Sequence, residues 1–524
     1  MGDPARAEHA FERGGGGPAG LLLGGLLMGG LLLGGLLLGG LLLGGCAHHG
    51  PAPVHTVPSA APEQPWQPPA GEAAPRQHAL ASLDDDWMLP AAGAPLDLAG
   101  AVDLALHNSP QTRQAWAAAR AAAADVGTER AGAFPQLSLG GQAELQHSQF
   151  SPTLTIDRKD VGLSASLSWL LFDSGGQRAR VAQGRQALLA ASWSHDAAIQ
   201  DLVLQVERAW YGYLDARAQA DAAQATADEA EQNLAAAQAR LDAGLGTRED
   251  VLQARTARSQ AQLGLLSAQG QVRVLRGSLA TVLGLPPTTA LDTGELPAVP
   301  DVGPQTAAVE DLLIAAVDQR PDLAAAAYDL AQADSRLRQA RAAGLPSVSL
   351  FGSDSPTWYL SLGTGGSPST WSFGNNYTAG LSVSTPLFEG FKIRSQVAAA
   401  RARVDLAQGQ LQALHQQVAL QVWTSFQDVQ TAAARVHAAG DLLASATESQ
   451  QVAQARYEQG VGSILELLTA QSALAAARAQ EARARADWLL ALAQLAHDTG
   501  AADLGPPDRG AAAPGPDAAR GETP

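Results

Sequence analysis

Two hydrophobic rhythms alternate along the chain. From Val161 to Phe172, the residues Val161, Leu163, Ala165, Leu167, Trp169 and Leu171 share one face, and Gly162, Ser164, Ser166 and Ser168 share the other. That period of two predicts a strand. Pro135 to Gln146 alternates in the same way, with Leu137, Leu139, Ala143 and Leu145 against Gln136, Ser138, Gln142, Glu144 and Gln146. Ser347 to Gly352 and Tyr377 to Phe388 repeat the pattern. The stretch between them, Ser353 to Asn376, is crowded with Gly, Ser and Thr and reads as a loop. The second rhythm is helical. Gln177 to Ala243 holds no proline and only Gly184 and Gly212 as glycines, and Ile393 to Gln459 is equally free of proline. Each predicts a helix of about 100 Å at 1.5 Å per residue. A glycine pair ends each run. A shorter helix of roughly 37 residues follows to Leu283 or Thr499, and one of similar length, Asp97 to Ala133 in the first case, precedes each hairpin. The expected arrangement is one long helix beside two short helices stacked end to end, twice over.

The doubling is visible residue by residue. Ala101 to Gln111 lies over Leu312 to Asp322, matching Pro110 to Pro321. Phe134-Pro135-Gln136-Leu137 lies over Leu345-Pro346-Ser347-Val348, and Leu171-Phe172-Asp173 over Leu387-Phe388-Glu389. Arg240 to Thr247 lies over Arg456 to Ser463. The unit is roughly 200 residues, far longer than a solenoid repeat, and so is a duplicated module. Alanine is abundant throughout the helical runs, where small side chains let helices approach closely. A dimeric coiled coil would show Leu or Val heptads instead. Here Leu, Val, Ala and Gln mix on several faces, which fits helices with neighbours on both sides.

The strands place constraints of their own. Twelve residues span about 40 Å, more than a bilayer-crossing strand needs. A sheet in lipid must close, because unpaired backbone there is too costly. Four strands cannot close a barrel, so the barrel must be shared between chains. Two copies give eight strands and three give twelve, and only the larger encloses an open lumen.

The amino terminus reads as an address. Leu21 to Gly45 is an uncharged repeat of Leu and Gly that ends in Leu43-Gly44-Gly45-Cys46. An apolar stretch ending in small residues predicts a secretory leader. Leu, two small residues and Cys resemble the bacterial lipobox, in which the cysteine becomes a lipidated first residue. Ala47 follows where lipoproteins kept in the inner membrane usually carry Asp, which favours the outer membrane. Residues 47 to about 95 are rich in Pro, Ala and Gln and read as an extended tether. His48 and His49 there lack further ligands at coordination spacing.

Composition narrows the function. Cys46 is the single cysteine, which excludes an intrachain disulfide framework and a thiolate zinc cluster. The formal charge of −17 argues against nucleic acid as a partner. No GxSxG, P-loop or HExxH occurs, so neither a catalytic residue nor a cofactor or resident metal is expected.

A lipobox, a doubled module, two strands per module and helices about 100 Å long together resemble the TolC-like outer-membrane efflux proteins. The lipidated NodT- or OprM-like branch is the nearest in pattern. The resemblance covers about 97 to 500. It implies a mainly α fold with a membrane β-barrel, in which three chains share twelve strands above a long α-helical barrel. It makes 97–296 and 297–500 the two repeats; by their own composition 1–45 read as signal peptide, 46–96 as lipidated tether and 501–524 as a disordered tail. It places Gly244, Leu245, Gly246 and Thr247, with Gly460, Val461, Gly462 and Ser463, at periplasmic tips where an adaptor docks. It assigns Asp250 and Tyr457 to a periplasmic gate and Glu466 to its narrowest, cation-sensitive ring. Thr469 stands where the family has a second acidic position, and Gly462 where it has a bridging arginine. The implied function is export of small molecules such as drugs, in a homotrimer working with a periplasmic adaptor (membrane fusion protein) and an inner-membrane transporter, RND type first. A type I protein-secretion duct and a scaffold without a pore are the alternatives.

Overall fold

The computed structural model describes residues 95–151, 154–297, 308–361 and 370–501. All belong to one unit, Asp84–Pro524. The leader, Cys46, nearly all of the tether and the tail after Ala501 lie outside the described residues.

The first repeat runs α1 (Leu98–Asn108), α2 (Pro110–Ala131), β1 (Gln136–Ser151), β2 (Leu154–Phe172), α3 (Gly176–Asp242) and α4 (Arg248–Val282). The second runs α5 (Val309–Gln319), α6 (Pro321–Ala342), β3 (Ser347–Ser361), β4 (Thr370–Ser384), α7 (Lys392–Glu458) and α8 (Ile464–Asp498). Both long helices have 67 residues and both tip-side helices 35, so the two repeats share one ruler.

Three expectations need correction. The helix before each hairpin is two helices, because Pro110 and Pro321 each lack an N–H and force the preceding residue out of the helical region. Ser109 and Arg320 are accordingly extended, at ψ 127° and 122°, and each proline opens the next helix. The stretch 353–376 is not a loop either. β3 and β4 run through most of it, with Ser353 opposite Thr378 and Trp358 opposite Phe373. Its small polar residues line one face of a sheet whose alternation simply continues. β4 stops at Ser384, short of the expected Phe388, because Pro386 cannot donate to the ladder.

The four strands form one antiparallel sheet in the order β1-β2-β3-β4, so among the described residues β1 and β4 each have a free edge. Register sets whole rows on one face. Ala143, Val161, Trp358 and Phe373 form one such row, and Trp169, Leu350 and Leu381 another. The opposite face carries Ser138, Ser166, Ser353 and Thr378, with the Ser138 and Ser166 hydroxyls 2.6 Å apart. The apolar face has no cover: Leu139 is 81% exposed and Tyr377 82%. Among the described residues no helix is long and apolar enough to cross a membrane.

The helices pack as a row. α3 touches α2 and α4 of its own repeat, and α6 and α8 of the other; α6 and α8 in turn touch α7. α4 and α7 therefore end the row on the tip side. Both carry exposed apolar residues, Leu252, Leu263, Leu266 and Val274 on α4 and Leu406, Leu420, Trp423 and Val452 on α7.

At mid-height the short helices meet end to end. In the first repeat the end of α4 meets the α1–α2 break. Asn108 donates from Nδ2 to the Leu283 carbonyl at 3.2 Å, over a core of Leu104, Val206, Trp210, Leu279 and Leu283. In the second repeat the end of α8 meets the α5–α6 break through charged groups. Arg320, only 7% exposed at its side chain, grips Asp322 through two hydrogen bonds, 3.0 and 2.6 Å. It also donates to Gln421 at 2.9 Å and to the Asp498 carbonyl at 3.2 Å. His497 sits between Asp498 (3.1 Å) and Asp201 of α3 (2.9 Å). Burial pulls His497 down, but hydrogen bonds to Asp498 and Asp201 outweigh it and raise its pKa above the ordinary value. Burial pushes Asp498 up, yet hydrogen bonds from His497 and Gln494 hold it below the ordinary carboxylate range.

Candidate functional site

The site predicted from sequence lies at the far end of the long helices, where α3 turns into α4 and α7 into α8. Both turns use the same device. The Gly244 amide bonds the Leu241 carbonyl (2.9 Å) and the Leu245 amide bonds the Arg240 carbonyl (2.8 Å). In the second tip the Gly460 amide bonds Tyr457 (3.1 Å) and the Val461 amide bonds Arg456 (3.0 Å). These are Schellman endings, and they need the left-handed φ of +71° and +77° that Gly244 and Gly460 supply. Gly246 and Gly462 serve a different need. A Cβ on either would press on the arginine four residues before the first glycine, at 3.2 and 3.0 Å. Thr247 and Ser463 then cap the returning helices. Leu245 and Val461 stand outward, 72% and 67% exposed.

The three residues that the resemblance assigns to a gate divide. Asp250 and Tyr457 belong to one junction. Tyr457 of α7 is buried among Ala237, Val251, Ala254, Ile464 and Leu467, which come from the other three tip helices. Burial raises the pKa of its hydroxyl, the Arg240 charge opposes the rise, and the Asp250 charge adds to it. Asp250 also closes a capping box, accepting from the Thr247 amide at 2.9 Å while its own amide bonds the Thr247 hydroxyl at 3.2 Å. Glu466 stands apart. It is more than half exposed and faces Arg456 at 3.9 Å, a contact of little energetic weight.

The structure adds Arg240, which was not singled out from sequence. Its guanidinium lies 4.9 Å from the centre of the Tyr457 ring and donates to the Tyr457 carbonyl at 3.0 Å. It thereby satisfies a carbonyl at the end of α7 and offers a cation to the ring. Gly462 leaves the second tip without its expected arginine; a cation arrives instead from the first long helix. The signal was present in the duplication, which lays Arg240 over Arg456. Lower on the same helices, Asn233 donates to Gln471 at 2.6 Å in a buried setting, and Arg478 pairs with Glu229 at 2.9 Å. Both join α3 to α8.

Between α4 and α8, floored by α3, a groove of about 710 Å³ opens beside the tips, lined by Leu252, Thr256, Leu465, Leu468, Thr469 and Ser472 among others. Among the described residues no cluster of three or more His, Cys, Asp or Glu is placed to hold a metal.

Comparison with known proteins decides what these tips belong to. The family model described as "Outer membrane efflux protein" matches residues 101–285 and 312–501, one block per repeat. The chain belongs to the outer membrane efflux protein family. It is 32% identical to Protein CyaE of Bordetella pertussis over 78% of this chain and 86% of that one. It is 26% identical to Nodulation protein T of Rhizobium leguminosarum bv. trifolii over 70% of this chain and 77% of that one. Among solved structures, the outer-membrane channel OprN superposes with a TM-score of 0.64 at 23% identity, covering 77% of this chain and 89% of that one. Members of this efflux family are outer-membrane channels, not enzymes, and form trimers that work with adaptor proteins and inner-membrane pumps. The fold class expected from sequence is therefore the one found, and the outer membrane is the cellular location.

Proposed function

We propose that three copies of this efflux family member form one export duct. Four strands from each chain close a twelve-stranded barrel, and the helices form a tunnel reaching back into the periplasm. The observation that carries this reading is the pair of free sheet edges, β1 and β4, on a sheet whose apolar face is bare. Such edges are untenable in lipid unless another chain pairs with them. The exposed apolar residues on α4 and α7 point the same way, because they sit at the two ends of the helix row where neighbouring chains would meet.

In this reading the tips Gly244–Thr247 and Gly460–Ser463 receive a periplasmic adaptor, and the outward Leu245 and Val461 supply apolar contact. Small molecules such as drugs pass from an inner-membrane pump of RND type. Asp250 and Tyr457 hold the gate with Arg240, and Glu466 forms a single acidic ring because Thr469 is neutral. Residues 1–45 are removed, Cys46 carries the lipid anchor, 46–96 tether it, and the repeats occupy 97–296 and 297–500. Single-channel recording in planar bilayers, with the oligomer counted by native mass spectrometry, tests the duct. Stepwise currents from a trimer are expected; a monomer or dimer without current would overturn it. Labelling with palmitate that persists in a Cys46→Ser variant would overturn the anchor alone.

A further inference from the structure

We propose that Arg178, Arg338 and Arg341 form a headgroup site for an anionic phospholipid of the leaflet next to the helices. The proposal rests on the sheet's crossing of the outer membrane and needs neither the gate nor the pump. All three side chains line one groove of about 490 Å³ between the start of α3 and the end of α6. Arg178 lies six residues after the last residue of β2, and Arg341 six residues before the first of β3. Only two or three of those residues on each side are helical, about 3–5 Å of rise, and the rest is turn, so the arginines stand just below the sheet. A headgroup layer is about 5–8 Å deep on each side of the hydrocarbon, so the guanidinium groups stand at phosphate level.

The groove is built rather than incidental. The Ser174 hydroxyl donates to the Pro346 carbonyl at 2.8 Å and ties the two walls together just above the arginines. Gly176 packs against Ala342 lower down. The three arginines are exposed, and none forms an ion pair with a carboxylate among the described residues. The nearby Asp173 is held by Arg180 at 3.6 Å, and Arg338 gives one N–H to the Ser335 hydroxyl at 2.8 Å. Most of their donors are thus uncommitted, in a fork geometry suited to phosphate oxygens.

The floor favours a lipid over a free anion. Ala179, Ala182, Ala342 and the half-exposed Leu345 line the same groove as the arginines, an apolar bed that inorganic phosphate would not use. Above it, Phe134, Trp169 and Phe172 are exposed where the sheet ends, as in an aromatic belt at a membrane surface. Charge above an apolar bed matches a phosphate above glycerol and acyl carbons.

The test titrates the purified full-length channel in detergent with phosphatidylglycerol, phosphatidylcholine or inorganic phosphate, and counts bound molecules by native mass spectrometry. Wild type is expected to retain phosphatidylglycerol in preference to phosphatidylcholine and to ignore phosphate. A combined Arg178→Gln, Arg338→Gln, Arg341→Gln variant should bind phosphatidylglycerol on the order of a hundredfold more weakly, and three lysines in the same places should recover most of it. Should the triple variant not assemble, Arg341→Gln alone should lose roughly fivefold. Equal lipid retention in the glutamine variants overturns the proposal. So does unchanged retention with an altered reversal potential in a KCl gradient, which would place the arginines along the pore.

Discussion

The two mid-height junctions have the same backbone and opposite chemistry. In each, a tip-side helix ends on a glycine in the left-handed region, Gly284 at φ +73° and Gly500 at +74°. A Cβ on Gly284 would fall 2.6 Å from Asn108, and one on Gly500 would fall 2.9 Å from Gln319. Around that shared turn, the first repeat places Asn108 and a leucine core. The second places Arg320, Asp322, His497, Asp498 and, from α3, Asp201. The close approach of chain to chain fixes the glycine in both repeats. Side chains around it are replaceable so long as each buried polar group finds a partner. Duplication has thus preserved the turn while the two joints acquired different dependences on charge.

The largest expected break is Arg320→Met. It leaves two buried or half-buried carboxylates without their cation and should destabilise the second joint by about 3–5 kcal/mol, read as faster hydrogen exchange over 495–500. Asn108→Ala removes the neutral bond to the Leu283 carbonyl and should cost the first joint only about 1–2 kcal/mol, read over 279–284. If both variants loosen their joints equally, the contrast between charged and neutral joints is wrong.

The same contrast recurs at the tips, between the duplicated arginines. Arg240→Ala loses a bond to a carbonyl and a ring contact, about 1–3 kcal/mol together, and should raise closed-state conductance roughly tenfold. Arg456→Ala loses only an exposed pair and should leave conductance within a factor of about two. Tyr457→Phe keeps the ring beneath Arg240 but removes the hydroxyl, so a smaller rise is expected; unchanged closed-state conductance would count against Tyr457 as a latch.

The smallest effect is a pH dependence confined to the second joint. His497 is faced by Asp498 on its own helix, by Asp201 and Glu207 on α3, and by Asp322 of α6, while Arg320 at the α5–α6 break pairs with the same Asp498. Its pKa is raised in the folded protein, so its contribution is complete below the ordinary histidine value and fades as pH rises through the raised one. Asp498 and Asp322 are lowered, so their contributions are present above the ordinary carboxylate value and fade as pH falls through the lowered one. Exchange over 495–500, corrected for intrinsic rate, should therefore quicken as pH rises through and above neutrality, while 279–284 stays flat. His497→Gln should abolish the slope; a slope that survives it would assign the effect to another group.

Most of the architecture was legible because periodicity is a direct image of packing. Both long helices lie within one residue of the expected Gln177–Ala243 and Ile393–Gln459, since unbroken runs without proline have little alternative. Pro110 and Pro321 mark the breaks, but the alanine-rich residues on both sides give them the look of one continuous helix. The strand ends between 353 and 376 are illegible in the sequence because Gly, Ser and Thr signal loops in water, whereas on one face of a sheet they are simply small. At the tips, the glycine turns and caps followed from local sequence. The Arg240 contact did not, because it joins residues 217 apart in the chain and depends on which helices become neighbours. The ionic joint was hidden for the same reason.

The long helices also have a mechanical consequence. α3 and α7 pass the mid-height joints unbroken, while every helix beside them is interrupted there. Each 67-residue rod therefore acts as a lever about 100 Å long, with its fulcrum near the middle. Tilting one rod by about 10° about that fulcrum sweeps its free end through about 9 Å, nearly the width of a helix. A modest change of angle at mid-height would thus give a large displacement at the far end, without any helix having to bend.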